Sequence, residues 1–213
     1  MKHFSNVVFS LTLLLSAAFN AAGQSQGLAG FVFANAVGIS GKADVSANGK
    51  KLTRSGLEPG MATSGLGLPV GNYQLQVSAP GCESATAPLS IAAGTTPVVV
   101  AYLQRELDPR THTVKNFIRL LQLPCEPQDQ RYVIKVISVD AGANFTATTS
   151  SQVQQIKPLI PAIFEAKAVK ITDSTGSTEE AQVSNRGSYY CFAFLKADGK
   201  PGISLALQRI YTW

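Results

Sequence analysis

The sequence predicts an all-β fold, and three features of its patterning indicate this class. Polar and apolar residues alternate in short segments; in residues 72–79, Tyr73, Leu75 and Val77 would share one face of a strand. Turn signals that contain glycine and proline separate these segments at short intervals. Asn48-Gly49, between two alternating segments, is a strong signal for a β-hairpin, because both residues tolerate a positive φ.

The first 23 residues are typical of a cleaved secretory signal peptide. Lys2 and His3 precede an apolar run at residues 7–19, and small residues follow at 20–23. The run is too short for a comfortable membrane span. No cysteine follows it until Cys82, so a lipoprotein attachment site is absent. We therefore expect a periplasmic or secreted protein with no membrane span after cleavage.

Residues 27–104 are predicted to form an N-terminal β-sandwich. The best-formed part is residues 68–103, where Gly71, the turn at residues 79–81 and Gly94 separate three strands. The number and spacing of strands match an immunoglobulin-like or transthyretin-like sandwich. The predicted strands cover residues 29–37, 43–47, 50–54, 61–68, 72–79, 88–92 and 96–103.

Residues 105–116 are polar, include Asp108-Pro109, and are interpreted as a linker. Residues 117–213 are then predicted to form a C-terminal β-sandwich of the same type. A short helix at residues 151–156 is an alternative there, and residues 162–171 could be helical by composition, although we expect a strand. The predicted strands cover residues 117–123, 131–139, 145–150, 162–171, 179–184, 188–196 and 203–209.

Two short matches between the halves indicate a tandem of related domains. Each half opens with phenylalanine and a β-branched residue, at Phe31-Val32 and Phe117-Ile118. Each also has a Gly-x-Tyr motif that opens a late strand, at residues 71–73 and 187–189.

Charge and composition argue against several classes of function. The formal net charge is +5, or +4 once Lys2 is removed, and the basic residues are scattered, which argues against a nucleic-acid groove. A weak attraction to acidic polysaccharide or to anionic surfaces is compatible with this excess. After residue 23 the sequence has one histidine, His112, so a catalytic triad or a zinc site has almost no candidates. We expect a non-enzymatic protein without cofactor or metal.

Three cysteines, Cys82, Cys125 and Cys191, remain after the signal peptide. Export makes a disulfide plausible, and the odd number leaves one cysteine over. Cys125 and Cys191 lie in the same half of the chain, so we favour that pair, with Cys82 as a thiol. The alternative is that all three are reduced and structural.

The aromatic residues near the C-terminus are the candidate binding surface. Alternation in residues 188–196 places Tyr190, Phe192 and Phe194 on one face, and Tyr189, Cys191, Ala193 and Leu195 on the other. Core packing on one face and an interface on the other is one interpretation. The other is an aromatic platform for sugar rings or a partner strand, which would use Tyr189 and Tyr190 together with Tyr211 and Trp213.

The predicted N-terminal domain resembles a group of secreted bacterial β-sandwich modules. The resemblance lies in turn and core residues, which determine fold rather than activity. They are Asn35-Ala36, Asp44-Val45, Asn48-Gly49, Gly71-Asn72-Tyr73 with Val77, and Ala93-Gly94-Thr95 before the apolar residues 98–101.

The whole layout is similar to the periplasmic accessory protein family of alginate O-acetylation. A signal peptide precedes two β domains, and a late strand of the second follows Arg186-Gly187. The cysteines and residues 125–130 depart from that pattern. The resemblance implies a role in acetyl transfer onto exported polysaccharide, beside separate acyltransferases, and implies no catalytic residue in this chain.

Together these features predict an exported, non-catalytic binding or accessory protein of the bacterial envelope. Its expected partners are envelope proteins or the exported polysaccharide. The competing class is a structural or adhesion module that binds a protein by a sheet edge. An enzyme is the third alternative, disfavoured by the scarcity of histidine.

Overall fold

The computed structural model describes residues 28–38, 41–124 and 130–208, and every regular element in these ranges is a β-strand. The all-β prediction is therefore confirmed. The predicted signal peptide lies outside the described residues. The strands are β1 (Leu28–Ala36), β2 (Asp44–Ala47), β3 (Lys50–Lys51), β4 (Leu66–Pro69), β5 (Gly71–Ser78), β6 (Ala85–Ile91), β7 (Val98–Leu107), β8 (Val114–Leu123), β9 (Tyr132–Ser138), β10 (Phe145–Thr148), β11 (Val153–Ile156), β12 (Ala162–Glu165), β13 (Ala168–Thr172), β14 (Thr178–Gln182), β15 (Gly187–Leu195) and β16 (Pro201–Gln208).

The first eight strands form two sheets, which we call the N-terminal sheet pair. One sheet has the order β4-β1-β7-β8 and the other β3-β2-β5-β6. The predicted alternation determines their packing: Leu75 and Val77 of β5 are fully buried, whereas Gln74 and Gln76 between them are exposed. The inward faces of the two sheets enclose one core, to which the largest contributions include Phe31, Phe33, Leu75, Leu89 and Ile91.

The Asn48-Gly49 turn has the predicted left-handed conformation. Asn48 has φ 47° and Gly49 has φ 78°, which is the requirement for both central residues of a type I′ turn. The turn joins β2 to β3, which pair antiparallel.

The last eight strands form a second pair of sheets, the C-terminal sheet pair. Their orders are β12-β9-β15-β16 and β11-β10-β13-β14. Each order is that of an N-terminal sheet with every strand number raised by eight. The parallel pairings also correspond, since β1 lies parallel to β7 and β9 lies parallel to β15. The core between these sheets includes Ile134, Phe145, Phe164, Ile171 and Cys191.

The sequence matches between the halves do not follow this topological repeat. Phe31 lies in β1 but Phe117 lies in β8, and the two Gly-x-Tyr motifs lie in β5 and β15. The motifs nevertheless make the same local contact. The hydroxyl of Tyr73 donates to the Pro69 carbonyl at 2.7 Å, and that of Tyr189 donates to the Asn185 carbonyl at 3.0 Å. In both places the tyrosine fixes the chain four residues before it, as a tyrosine corner does.

The two sheet pairs pack on each other through a third apolar layer, which we call the junction. The outer faces of β1 and β7 supply small and β-branched residues, including Ala34 and Val100, and β15 supplies Tyr190, Phe192 and Phe194. Tyr189, Cys191 and Ala193 of β15 face the C-terminal core instead. The predicted division of this strand into a core face and an interface face is confirmed.

The predicted linker at residues 105–116 is not a linker in the structure. Its first residues continue β7, its last residues begin β8, and a turn that starts at Asp108 joins the two. The strands pair antiparallel from Val98–Leu123 at one end to Leu107–Val114 at the other. Residues 117–123, predicted as the first strand of the second domain, therefore belong to the N-terminal sheet pair. The segment has the polar composition of a linker because this end of the β7–β8 hairpin is exposed to solvent.

Two further segments differ from prediction in the C-terminal sheet pair. Residues 151–156, the alternative helix, contain β11, which pairs with β10. The predicted strand at residues 162–171 is two strands, β12 and β13, separated at residues 166–167 and placed in different sheets. The imperfect alternation of this segment corresponds to that break. No helix in the described ranges is of the length and apolar character needed to cross a membrane.

Candidate functional site: the junction cleft

The two tyrosines predicted to form a binding surface are buried. Tyr189 is 6% exposed and Tyr190 is 3% exposed. Tyr190 stacks on Phe192 with ring centroids 6.0 Å apart, and the Lys135 amine lies 5.6 Å from its ring. Neither ring can stack on a ligand, so this part of the prediction is corrected: the aromatic strand serves the core and the junction. Tyr211 and Trp213 lie outside the described residues.

Of the predicted disulfide pair, only Cys191 can be placed. Its side chain is fully buried in the C-terminal core, and burial raises the pKa of its thiol to about 12. Cys125 lies outside the described residues, so the Cys125–Cys191 pairing stays a prediction. Cys82 packs half-buried against the N-terminal core, after the turn at residues 79–81.

The structure also places the candidates for metal and acid–base chemistry. Within residues 28–38, 41–124 and 130–208, no three side chains of the His, Cys, Asp and Glu types come together as a metal site would require. His112 lies exposed in the β7–β8 turn with φ 53°, where its amide donates to the Asp108 carbonyl at 2.9 Å.

A cleft in the described residues lies at the rim of the junction. It encloses about 500 Å³ and lies between the distal half of β7 and two connections of the C-terminal sheet pair. We call it the junction cleft. Its lining is Tyr102, Leu103, Gln104, Arg105, Val139, Asp140, Ala141, Gly142, Pro158, Leu159 and Leu195.

The cleft forms where β1 leaves the side of β7. The last residue of β1, Ala36, lies beside Tyr102, but β7 continues to Leu107. After β1, the chain passes so close to β15 that a Cβ added to Gly38 would lie 1.8 Å from the Leu195 carbonyl oxygen. Only glycine allows this approach. Among the described residues, no strand pairs with this flank of β7 beyond Tyr102, and we call it the open flank.

The pairing of β7 with β8 determines which backbone groups face this open flank. Asn116 and Ile118 of β8 bond to Glu83, on the side of β8 away from β7. Phe117 between them therefore faces β7, and its partner Gln104 directs its amide and carbonyl to β8. Alternate residues point the other way, so Arg105 and Leu107 present their amide and carbonyl groups to the open flank. In the described ranges, the backbone amide and carbonyl groups of Arg105 and Leu107 make no hydrogen bond to the backbone of another segment.

The opposite wall of the cleft is a pair of ordered turns. The Asp140 carboxylate accepts a hydrogen bond from the Gly142 amide at 3.0 Å, and the Ser138 carbonyl accepts one from the Leu159 amide at 2.8 Å. Leu159 has φ 58°, a left-handed conformation that is unusual for leucine, and its side chain is 47% exposed. This wall thus presents an apolar side chain from a constrained backbone.

The chemistry of the cleft suits an extended chain. The open flank of β7 supplies backbone donors and acceptors, and Leu159 and Leu103 supply apolar surface. The Arg105 guanidinium makes no hydrogen bond or ion pair with any described residue, whereas Arg119 on the neighbouring strand is held by Gln104 at 2.6 Å and Glu106 at 2.9 Å. A peptide strand could pair with β7 and continue the sheet where β1 ends.

Comparison of the chain with protein-family models and with curated proteins finds no match. The sequence prediction missed the cleft because residues 105–107, the distal end of β7, had been interpreted as the start of a linker. The signal present in the sequence was the continued alternation of Tyr102, Gln104 and Glu106 against Leu103, Arg105 and Leu107.

Proposed function

We propose that this is an exported, non-catalytic accessory protein of the bacterial envelope that holds an extended segment of a protein partner in the junction cleft. In this proposal each sheet pair is an immunoglobulin-like or transthyretin-like sandwich domain, and the junction holds the two domains in a fixed arrangement.

The observation that carries the proposal is the open flank of β7 at the junction cleft. Exposed strand edges bind peptides by main-chain hydrogen bonds, and neighbouring pockets select their side chains. The flank at Arg105 and Leu107 offers those hydrogen bonds, and Leu159 faces it across the cleft. Because the walls belong to different sheet pairs, the site depends on the junction between them.

The specific version of the proposal is that the partner is an acyltransferase of polysaccharide O-acetylation. The sequence resemblance supports this version, since an accessory protein in that process works beside separate acyltransferases. A structural or adhesion module would use the same edge for a different partner, so identification of the bound protein distinguishes the two.

The decisive experiment replaces Arg105 by proline in the producing bacterium. Proline removes the one amide donor of residue 105, which faces the open flank, and leaves the ladder to β8 intact. We expect Arg105→Pro to abolish cross-linking of a photoreactive residue at Ala141 to the envelope acyltransferase, and to lower the acetyl content of the polymer.

Arg105→Ala is the matched control, because it removes the guanidinium but keeps the amide. We expect it to retain most of the cross-link. A photoreactive residue at Thr86, exposed on β6, controls for non-specific capture. Unchanged acetylation on deletion of the gene would exclude the O-acetylation role. Cross-linking that survives Arg105→Pro would exclude strand addition at β7.

A further inference from the structure

We propose that a row of basic side chains at the far end of the β12-β9-β15 sheet binds the carboxylates of an acidic polysaccharide. The row consists of Arg131, Lys167 and Arg186, which border a shallow depression of about 510 Å³. The site goes beyond the protein-docking role, since it lies at the start of β9 whereas the junction cleft lies after its end. The two sites are about 20 Å apart, because β9 spans seven residues.

The sheet order brings these three residues together although they are distant in sequence. Arg131 immediately precedes β9, Arg186 immediately precedes β15, and Lys167 follows β12. These strands are neighbours in one sheet, with Tyr132 beside Gly187 and Glu165 beside Val133. Adjacent strands lie about 4.7–4.9 Å apart, so the backbone positions of the three cations form a row about 10 Å long.

Hydrogen bonds of the surrounding backbone fix the row. The Gly187 amide donates to the Arg131 carbonyl at 2.8 Å, and the Val183 amide donates to the Lys167 carbonyl at 2.8 Å. The hydroxyl of Tyr189 holds the Asn185 carbonyl at 3.0 Å, one residue before Arg186. The tyrosine corner of this half therefore positions Arg186, which gives the Gly-x-Tyr motif a role beside the site.

The described residues that border the depression carry a net positive charge. Among the described residues that border it, the three cations meet one carboxylate, Glu165, which pairs with Arg131. The Lys167 amine lies 5.0 Å from the Tyr132 ring, and the Arg186 side chain makes no hydrogen bond or ion pair with any described residue. Lys167 and Arg186 thus form no ion pair with any described residue, and Arg131 adds its positive charge between them.

The shape of the site favours a polysaccharide among anionic polymers. A shallow row that crosses a sheet end can follow a chain that carries one carboxylate on each sugar. Nucleic-acid binding without sequence preference uses exposed aromatic faces for base stacking. Here Tyr132 is half-buried and Lys167 lies over its ring.

The test measures binding of polygalacturonate to the full exported chain by affinity electrophoresis at low salt, with dextran as the neutral comparison. We expect the triple variant Arg131→Gln, Lys167→Gln, Arg186→Gln to bind at least about tenfold more weakly. The matched control, Lys50→Gln, Arg54→Gln, Arg110→Gln, removes the same charge from exposed positions elsewhere, and we expect less than about a twofold change.

A gain-of-binding variant makes the test independent of any loss of folding. Glu165→Gln removes the competing carboxylate, so we expect it to bind the polymer more tightly than the natural chain. Arg105→Pro should leave polymer binding unchanged, which separates this proposal from the docking role. An equal loss in the matched control, weaker binding by Glu165→Gln, or preference for anionic phospholipid vesicles over the polymer would overturn the proposal.

Discussion

Leu159, in the wall of the junction cleft, has a strained left-handed backbone conformation. An L-residue with a side chain in the left-handed region costs about 1–2 kcal/mol, and glycine avoids that cost. Because glycine also loses more conformational entropy on folding, we expect Leu159→Gly to raise the free energy of unfolding by only about 0.5–1 kcal/mol. The same change removes the apolar side chain that is 47% exposed in the cleft, so partner binding should weaken.

Urea unfolding measures the stability part of this prediction. Leu159→Ala is the control, since alanine removes most of the side chain but retains the strained conformation. The Leu159→Gly variant should therefore have a higher free energy of unfolding than the Leu159→Ala variant, while both variants should bind the partner more weakly. If the glycine variant is the less stable of the two, the strain at Leu159 does not contribute as argued.

Cys191 should be inert in the folded protein. Its thiol is fully buried, and desolvation of the thiolate raises its pKa to about 12, so neither access nor ionisation favours alkylation at neutral pH. We expect iodoacetamide to modify Cys191 only after unfolding, as mass spectrometry of the peptides would detect. If Cys191 is a thiol, iodoacetamide should modify it in urea without reductant. If modification in urea also requires a reductant, Cys191 forms the predicted disulfide with Cys125. Modification in the native state would contradict the packing described.

At the scale of elements, local alternation was a better guide than polarity. The period-2 pattern predicted β5, which has one face against a core and one exposed face. It also predicted β9 and β15, whose two faces are buried in the C-terminal core and in the junction. The distal half of β7 was missed, since it is polar and exposed and only its pairing with β8 makes it a strand. The break between β12 and β13 was also missed, because the change of sheet depends on the fold around it.

The two candidate sites could not be found from local sequence for a related reason. Arg131, Lys167 and Arg186 are scattered along the chain, and the scatter had argued against a clustered basic face. Sheet order, a property of the whole fold, places them on neighbouring strands. In the same way, the open flank at Arg105 exists only because β1 ends at Ala36 while β7 continues. The aromatic residues of β15, which are visible in the sequence, pack in the C-terminal core and in the junction.

At the scale of the molecule, the junction makes the two sheet pairs one structural unit. Its apolar residues come from both pairs, and members such as Ala34 and Val100 are fully buried. Interfaces of this apolar kind hold domains in a fixed orientation, whereas polar interfaces permit relative motion. The junction cleft takes its two walls from different pairs, so its shape depends on this contact.

We therefore predict that the protein unfolds in a single calorimetric transition, and that a charge placed in the junction uncouples the two sheet pairs. Ala34→Asp introduces a carboxylate at a position with no access to water, and an unpaired buried charge costs several kcal/mol. The added carboxylate can reach water only if the two sheets that meet at the junction, β4-β1-β7-β8 and β12-β9-β15-β16, separate. The unfolding transition of the variant should therefore move to lower temperature and divide into two. Thr86→Asp is the matched control, because it adds the same charge at an exposed position of the N-terminal pair and should leave one transition.

The separation should also abolish cross-linking at the junction cleft but retain polymer binding, since the row of basic residues lies within the C-terminal pair alone. A single transition at the original temperature in Ala34→Asp would show that the junction does not couple the two pairs.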